Sequence, residues 1–209
     1  MPREITYNWL DTPSELNAHE AVFVSRLQAN EDAAYDELVR SYSATIYNVA
    51  YRMLGDSADA SDVVQEIFIK VFRHIKGFKG EAALKTWIFR IAFSEILNRL
   101  RWWKRRYKYA TVSLDETPDG KPAEIAVHAG PTPEQVLQSK EREAAIQHAL
   151  RRLSGEHRSI IVLRDIEGFS YNEIADVLGI SIGTVKSRLA RARADLKKSL
   201  MRYLSVQHL

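Results

Sequence analysis

A chain of 209 residues carries 30 basic and 27 acidic side chains, no cysteine and a formal net charge of +3. A hydrophobic share of 45% and a charged share of 27% are typical of a globular protein of one or two domains. The absence of cysteine excludes disulfides, thiol chemistry and Cys-ligated zinc. The longest stretch without a charged side chain, 41–51, is shorter than the roughly 20 apolar residues of a membrane span. With no basic-then-apolar leader at the start, we expect a cytoplasmic protein without membrane insertion.

Proline placement divides the chain into two blocks that can be helical. None of the six prolines lies in 14–117 or 134–209, and a helix interior tolerates proline poorly. The segment 110–133 holds four prolines, two glycines and four acidic residues against one lysine, a composition typical of a linker. The predicted organisation is an N-terminal extension (1–20), a first block (21–109), an acidic linker (110–133) and a second block (134–203).

Apolar residues recur at helical spacing throughout both blocks. Glycines separate the periodic segments, at the positions where helices are expected to end. No run alternates well enough to predict a strand, so the expected fold class is all-α, with two helical domains joined by a flexible linker. The helices are predicted over 16–29, 32–54, 58–76, 84–108, 134–152, 156–166, 170–178 and 182–202.

The predicted helix 182–202 has a polar face suited to DNA. It carries seven basic residues against one acid, and small residues stand beside its arginines. Such a face lets a helix enter a groove while long side chains reach bases and phosphates. A short helix before it and a turn at Gly179 complete a helix-turn-helix pattern. Core helical hairpins use similar turns, but a second basic run at 99–108, interleaved with Trp102 and Trp103, favours a polyanionic partner.

The predicted helix 58–76 presents a different surface opposite its apolar stripe. This face is too acidic for DNA and has an isoleucine at its centre. Its residues are Asp62, Gln65, Glu66, Ile69 and Arg73. A lone exposed isoleucine is usually unremarkable, so a solvated face and a protein–protein contact both remain open.

The predicted helix 84–108 is apolar on two sides, which is typical of a helix at the centre of a bundle. Leu84 and Ile88 face one side, and Phe89 and Phe93 face nearly the opposite one. The short turn 77–83 ahead of this helix is polar and glycine-rich, and is therefore a candidate for ligand contact.

The sequence contains no catalytic constellation. It lacks a phosphate loop with its lysine and a His-Glu-x-x-His pair. The six histidines are scattered without the spacing of metal ligands. We expect neither an enzyme nor a bound cofactor or metal.

Three motifs of the first block resemble the second domain of sigma-70-family factors, in their extracytoplasmic-function group. They are SDVVQEIFIKVFR at 61–73, FKGE at 78–81 and TWIFRIA at 86–92. The similarity extends over roughly 20–109.

Two further motifs resemble the fourth domain of the same group. LRDIEGFSYNEIA occupies 163–175 and GTVKSRLARAR occupies 183–193, within a similarity that covers roughly 134–202. One departure is Ser154-Gly155, where the family commonly has a proline after the leucine. The resemblance implies a sigma factor that binds core RNA polymerase and directs initiation at promoters with −10 and −35 elements.

The resemblance assigns roles to two regions of the first block. The segment 61–74 is expected to dock on the coiled coil of the largest polymerase subunit, in agreement with its isoleucine-centred face. The turn 78–84 and the helix after it are expected to read the −10 element by capturing an unstacked base. The residues assigned to the −10 element are Phe78, Lys79, Gly80, Glu81, Ala82, Ala83, Leu84, Asn98 and Arg101.

The resemblance likewise implies that the helix-turn-helix reads the −35 element. The acidic linker is expected to run toward the RNA exit path, and an anti-sigma factor is expected as a further partner. The residues assigned to the −35 element are Tyr171, Thr184, Lys186, Ser187, Arg188, Arg191 and Arg193.

The residues alone also allow a second function from another class. A free-standing transcriptional regulator would also carry a helix-turn-helix, with the first block as a sensor or dimerisation module. The face centred on Ile69 discriminates the two, since such a regulator has no need of a polymerase contact.

Overall fold

A computed structural model describes the backbone of residues 13–107 and 133–207. Within these two ranges the chain is helical and forms no strand, which confirms the predicted all-α class. A 3-10 turn (Ile75–Gly77) follows the third helix, and a π-helical turn (Val162–Ile166) follows the sixth. The helices are α1 (Pro13–Gln28), α2 (Asp32–Leu54), α3 (Ser57–His74), α4 (Leu84–Tyr107), α5 (Pro133–Arg151), α6 (Gly155–Ile161), α7 (Tyr171–Leu178) and α8 (Ile182–Gln207).

Helix α4 is the centre of the first block, which comprises α1 to α4. Leu84 and Ile88 on one side of α4, and Phe89 and Phe93 on the other, are at most 1% exposed. Burial of apolar groups on both sides of one helix is what its sequence pattern predicts. The block therefore assembles around α4.

Helix α1 is an integral part of this block. Leu27 is fully buried, and the Gln28 side-chain amide donates to the carbonyls of Ile75 (3.2 Å) and Phe78 (3.0 Å). Because α1 begins at Pro13, the boundary predicted between 1–20 and 21–109 falls inside a helix.

The second block, α5 to α8, owes its turns to local capping. Ser170 and Glu173 form a reciprocal capping box at the start of α7, which satisfies N–H groups that the helix cannot. Gly179 ends α7 at φ +64°, a left-handed conformation that glycine adopts without strain. The Ser181 hydroxyl accepts from the Thr184 N–H at 3.2 Å, at the start of α8. These caps set the turn between α7 and α8.

The two blocks contact each other at the C-terminus of α2. The Gln147 side-chain amide donates to the Tyr51 carbonyl at 2.9 Å, and the Arg158 guanidinium donates to the Met53 carbonyl. A cation at a helix C-terminus interacts favourably with the helix dipole. Burial nevertheless lowers the pKa of Arg158 to about 10, and the positive charge of Arg151 acts in the same direction.

A second contact joins the N-terminal part of α4 to α7 and the turn before it. The rings of Phe89 and Phe169 lie 4.9 Å apart between centroids, and the Lys85 ammonium lies 4.5 Å from the Phe169 centroid. The Arg90 guanidinium donates to the Asp176 carbonyl at 3.0 Å. Polar and aromatic contacts thus hold the blocks together.

The helix bounds follow the sequence prediction to within three residues, with two larger differences. The helix predicted over 156–166 is α-helical only to Ile161 and then continues as the π-helical turn. Helix α8 extends five residues beyond the predicted end at 202. Residues 108–132, which include all of the predicted linker except Pro133, lie outside the described residues. No helix within the described ranges is long and apolar enough to cross a membrane.

Candidate functional site

The polar face of α3 is exposed in full. Asp62, Gln65, Glu66 and Arg73 are all exposed, and Ile69 between them is 47% exposed. The opposite face of α3 buries Val63, Ile67 and Val71 and its amphipathic pattern is strong. The structure therefore brings all five predicted residues together on one accessible surface, with an apolar side chain at its centre.

Arg99 on α4 forms ion pairs with carboxylates of α3 beside this face. Arg99 donates to Glu66 at 2.9 Å and to Asp59 at 3.3 Å. Burial raises the pKa of Asp59, as does the neighbouring Asp56 carboxylate, while Arg99 opposes both. Arg99 is thus committed to α3, although the sequence counts it within the basic run 99–108.

The turn before α4 is accessible at its tip and anchored at both ends. Lys79, Gly80, Glu81 and Ala83 are exposed and Ala82 is half-buried. Gly80 adopts φ +73°, which favours glycine.

At the near end of the turn, the Phe78 ring packs on Trp87 with centroids 5.2 Å apart. At the far end, Leu84, which the resemblance assigns to the −10 element, is 1% exposed and its side chain is part of the core. The Leu84 N–H donates to the Glu20 carboxylate at 2.9 Å. A turn held in this way presents its tip in a fixed position.

Farther along α4 lies an exposed, basic surface. Asn98 and Arg101, which the resemblance assigns to the −10 element, are exposed. Trp102 is 44% exposed, and the Arg106 guanidinium lies 5.0 Å from its ring centroid.

The helix-turn-helix presents one part of its predicted reading face. Lys186, Ser187 and Arg191 are exposed, whereas Thr184 is half-buried beside Ser181. The Arg191 guanidinium forms no ion pair with any residue that the structure describes. It is therefore available to a base edge.

Three other predicted residues of this face have protein partners. Arg193 donates to both carboxylate oxygens of Asp165, at 3.0 and 2.5 Å, and these hydrogen bonds raise its pKa. Arg188 lies 3.1 Å from the Glu156 carboxylate. Tyr171 is half-buried, with the Arg164 guanidinium 5.1 Å from its ring centroid. The sequence places these side chains on α7 and α8 but gives no sign of their partners.

Nothing in the described part of the chain gathers three or more histidine or carboxylate side chains in a metal-binding arrangement. Glu20 and Gln28, which anchor the turn before α4, were not among the predicted site residues. Neither belongs to a recognisable motif, so no local signal marks them.

Models of known families match both blocks. The model described as sigma-70 region 2 matches residues 38–106, and the model described as sigma-70 region 4 matches residues 143–196. The first match contains α3, the turn and most of α4, and the second contains the helix-turn-helix.

Curated relatives align with most of the chain. The ECF RNA polymerase sigma factor SigE of Mycolicibacterium smegmatis is 36% identical over 95% of this chain and 73% of its own length. The RNA polymerase sigma-H factor of Pseudomonas aeruginosa is 34% identical over 85% of this chain and 91% of its own. The ECF sigma factor SigW of Bacillus subtilis is 33% identical over 85% of this chain and 94% of its own.

Solved structures share the fold. CnrH, in complex with the cytosolic domain of CnrY, has a TM-score of 0.63 at 22% identity, over 88% of this chain and 97% of its own. The sigma factor RpoE of Bartonella quintana, in complex with the anti-sigma factor NepR, has a TM-score of 0.61 at 26% identity, over 80% and 96%. The chain belongs to the sigma-70 family, in its ECF group, and is an RNA polymerase sigma factor that directs promoter-specific transcription initiation.

Proposed function

We propose that the chain docks on core RNA polymerase through the α3 face and reads promoter DNA through two separate elements. The turn 78–83, with Asn98 and Arg101, contacts the −10 element. The N-terminal half of α8 contacts the −35 element. The chain supplies recognition only, and the chemistry of RNA synthesis belongs to the polymerase.

The observation that carries this proposal is the segregation of charge between two exposed surfaces. The α3 face presents an apolar centre ringed by carboxylates and one arginine, which suits a protein and would repel DNA. The start of α8 presents Lys186 and Arg191 beside small residues, which suits a DNA groove. A stand-alone regulator would need only the second of these surfaces.

The proposal extends to a protein inhibitor. Because the structurally similar RpoE was crystallised with an anti-sigma factor, we propose that this chain is also held by one. With polymerase and promoter as its partners, its place of action is the cytoplasm.

A reconstitution with purified core polymerase tests the proposal. The chain should co-elute with core polymerase in a stoichiometric complex, and this complex should initiate from promoters that core polymerase alone ignores. A chain that binds promoter DNA tightly without polymerase, and does not co-elute with it, would instead be the stand-alone regulator.

A further inference from the structure

A cleft opens between the α5–α6 corner and the C-terminal half of α8. It encloses about 350 Å³, within the range of small-molecule sites. Its α8 wall consists of residues at helical spacing on one face. The lining residues are Arg152, Leu153, Ser154, His157, Asp195, Lys198, Ser199 and Arg202.

The rim of the cleft carries positive charge in excess. Arg152, Lys198 and Arg202 are exposed, and none forms an ion pair with a residue that the structure describes. The one carboxylate of the lining, that of Asp195, is engaged by the His157 ring nitrogen Nδ1 at 2.8 Å. Three cations around one cleft repel each other, and an anion between them removes that cost.

The titration of a neighbouring histidine is consistent with this charge. Burial lowers the pKa of His148, and the positive charges of Arg152 and Arg151 lower it further. The positive potential of the corner therefore extends beyond the cleft itself.

The wall of the cleft also holds a polar group without a partner. Ser199 is 7% exposed, and its buried hydroxyl makes no hydrogen bond within the described part of the chain. A buried hydroxyl usually finds a partner, because leaving it unsatisfied costs about 1–3 kcal/mol. A small rotation of the side chain would let it donate to a ligand in the cleft.

We propose that this cleft binds the phosphate group of a small phosphorylated molecule. A phosphate offers three acceptor oxygens, which suit a guanidinium fork, an ammonium and a hydroxyl at one place. The buried Leu153 supplies an apolar wall for the remainder of the molecule. This inference does not rest on the proposed promoter contacts.

The cationic end of the cleft lies beyond the residues assigned to the −35 element. Lys198 and Arg202 are seven and eleven residues past Arg191 on α8, which is about 10 and 16 Å along the helix axis. Asp195, at the near end of the cleft, is four residues past Arg191 on the same side of the helix, so the cleft adjoins the −35 face. The duplex arm of the test below therefore distinguishes a free phosphorylated compound from a phosphate of promoter DNA.

Thermal unfolding of the full chain at constant ionic strength tests the proposal, with inorganic phosphate and then pyrophosphate as probes. A ligand that binds only the folded state raises Tm in a saturable manner. We expect such a rise for the wild type, with at least tenfold weaker apparent affinity in K198Q/R202Q. The double variant R40Q/K76Q removes the same charge from exposed positions of the first block and should respond like the wild type.

The variant S199A tests whether phosphate binds through specific contacts in the cleft or only through the general positive charge around it. It keeps every charge of the cleft, and because the hydroxyl has no protein partner the fold should not suffer. We expect weaker phosphate binding with unchanged Tm in the absence of phosphate. The proposal would be overturned if phosphate raised the Tm of the wild type and of the three variants equally, or if the rise in Tm did not saturate.

The last measurement is the binding of a short DNA duplex to the same variants. If K198Q/R202Q weakened duplex binding as much as R191A does, the cleft would be a contact for the DNA backbone and the proposal would be wrong. Unchanged duplex binding together with lost phosphate binding supports it.

Discussion

The carboxylate of Glu20 on α1 accepts a hydrogen bond from the backbone N–H of Leu84, the first residue of α4, at 2.9 Å. The first N–H groups of a helix have no partner within it, and an acceptor from elsewhere stabilises that end. Helix α1 thus caps the central helix of its block at the point where the turn 78–83 enters it.

Removing this cap should cost stability. We expect Glu20→Ala to lower the free energy of unfolding by about 0.5–2 kcal/mol. For a chain of this size, about 1 kcal/mol corresponds to a Tm change of roughly 2–4 °C. Urea and thermal denaturation measure both quantities. The neighbouring exposed His19→Ala is the control, and equal midpoints for the two variants would contradict the capping role.

The helices could be predicted from sequence because apolar spacing and glycine or proline boundaries are local signals. The Glu20–Leu84 contact could not, since its partners are 64 residues apart and no pattern joins them. For the same reason, the periodicity of α8 identified its exposed arginines but not the pairing of Arg193 with Asp165. Faces are encoded locally, whereas side-chain partners depend on how helices pack.

Weakening the contact between the two blocks should leave each block folded. Gln147→Ala with Arg90→Ala removes two interblock hydrogen bonds, each worth about 0.5–1.5 kcal/mol net. We expect the blocks to spend more time apart with helicity unchanged. Because the chain has no cysteine, Ser61→Cys and Asn172→Cys introduce clean sites for a pair of fluorescent labels.

Energy transfer between these labels should fall in the double variant and not in the exposed control Arg142→Ala. A double variant with unchanged transfer would mean that the remaining contacts, among them the Arg158–Met53 hydrogen bond and the Phe89–Phe169 ring contact, hold the blocks together. Loss of helicity by circular dichroism would mean that the two side chains serve folding instead.

The α3 face offers a test of polymerase binding that does not disturb the core. Ile69→Glu replaces the exposed apolar centre and adds a like charge beside Glu66. We expect Tm to stay within about 1–2 °C, because surface substitutions usually change stability by less than about 0.5 kcal/mol. Co-elution with core polymerase should be lost.

Val22→Glu on α1 is the matched control, since Val22 is 63% exposed and lies outside the α3 face. It should co-elute normally. Normal co-elution of the Ile69 variant as well would remove this face from the polymerase contact.

Two arginines near each other on α8 should behave differently. Arg191 has no ion-pair partner among the described residues, so Arg191→Ala should relax base preference at one or two −35 positions by about 1–3 kcal/mol. Arg193 is held by Asp165, so Arg193→Ala should change stability more than base preference. Binding to a library of −35 sequences measures this, and a uniform loss of affinity for Arg191→Ala would contradict its role.

The turn 79–83 should determine which −10 base is required. Its tip is exposed while Gln28 and Glu20 anchor its two ends, so a base that leaves the duplex meets a surface of fixed shape. Gly80→Ala tests the shape itself, because φ +73° strains any residue with a Cβ, although nothing lies within 4 Å of the position.

We expect Gly80→Ala to slow open-complex formation and to alter the ranking of −10 variants, with −35 preference and polymerase binding unchanged. Permanganate footprinting on promoters varied at each −10 position provides the measurement. Lys79→Ala is the comparison, since losing one phosphate contact weakens all sequences alike and lowers the salt dependence. If both variants left the ranking of bases unchanged, −10 reading would lie farther along α4, where Asn98 and Arg101 are exposed beside Trp102.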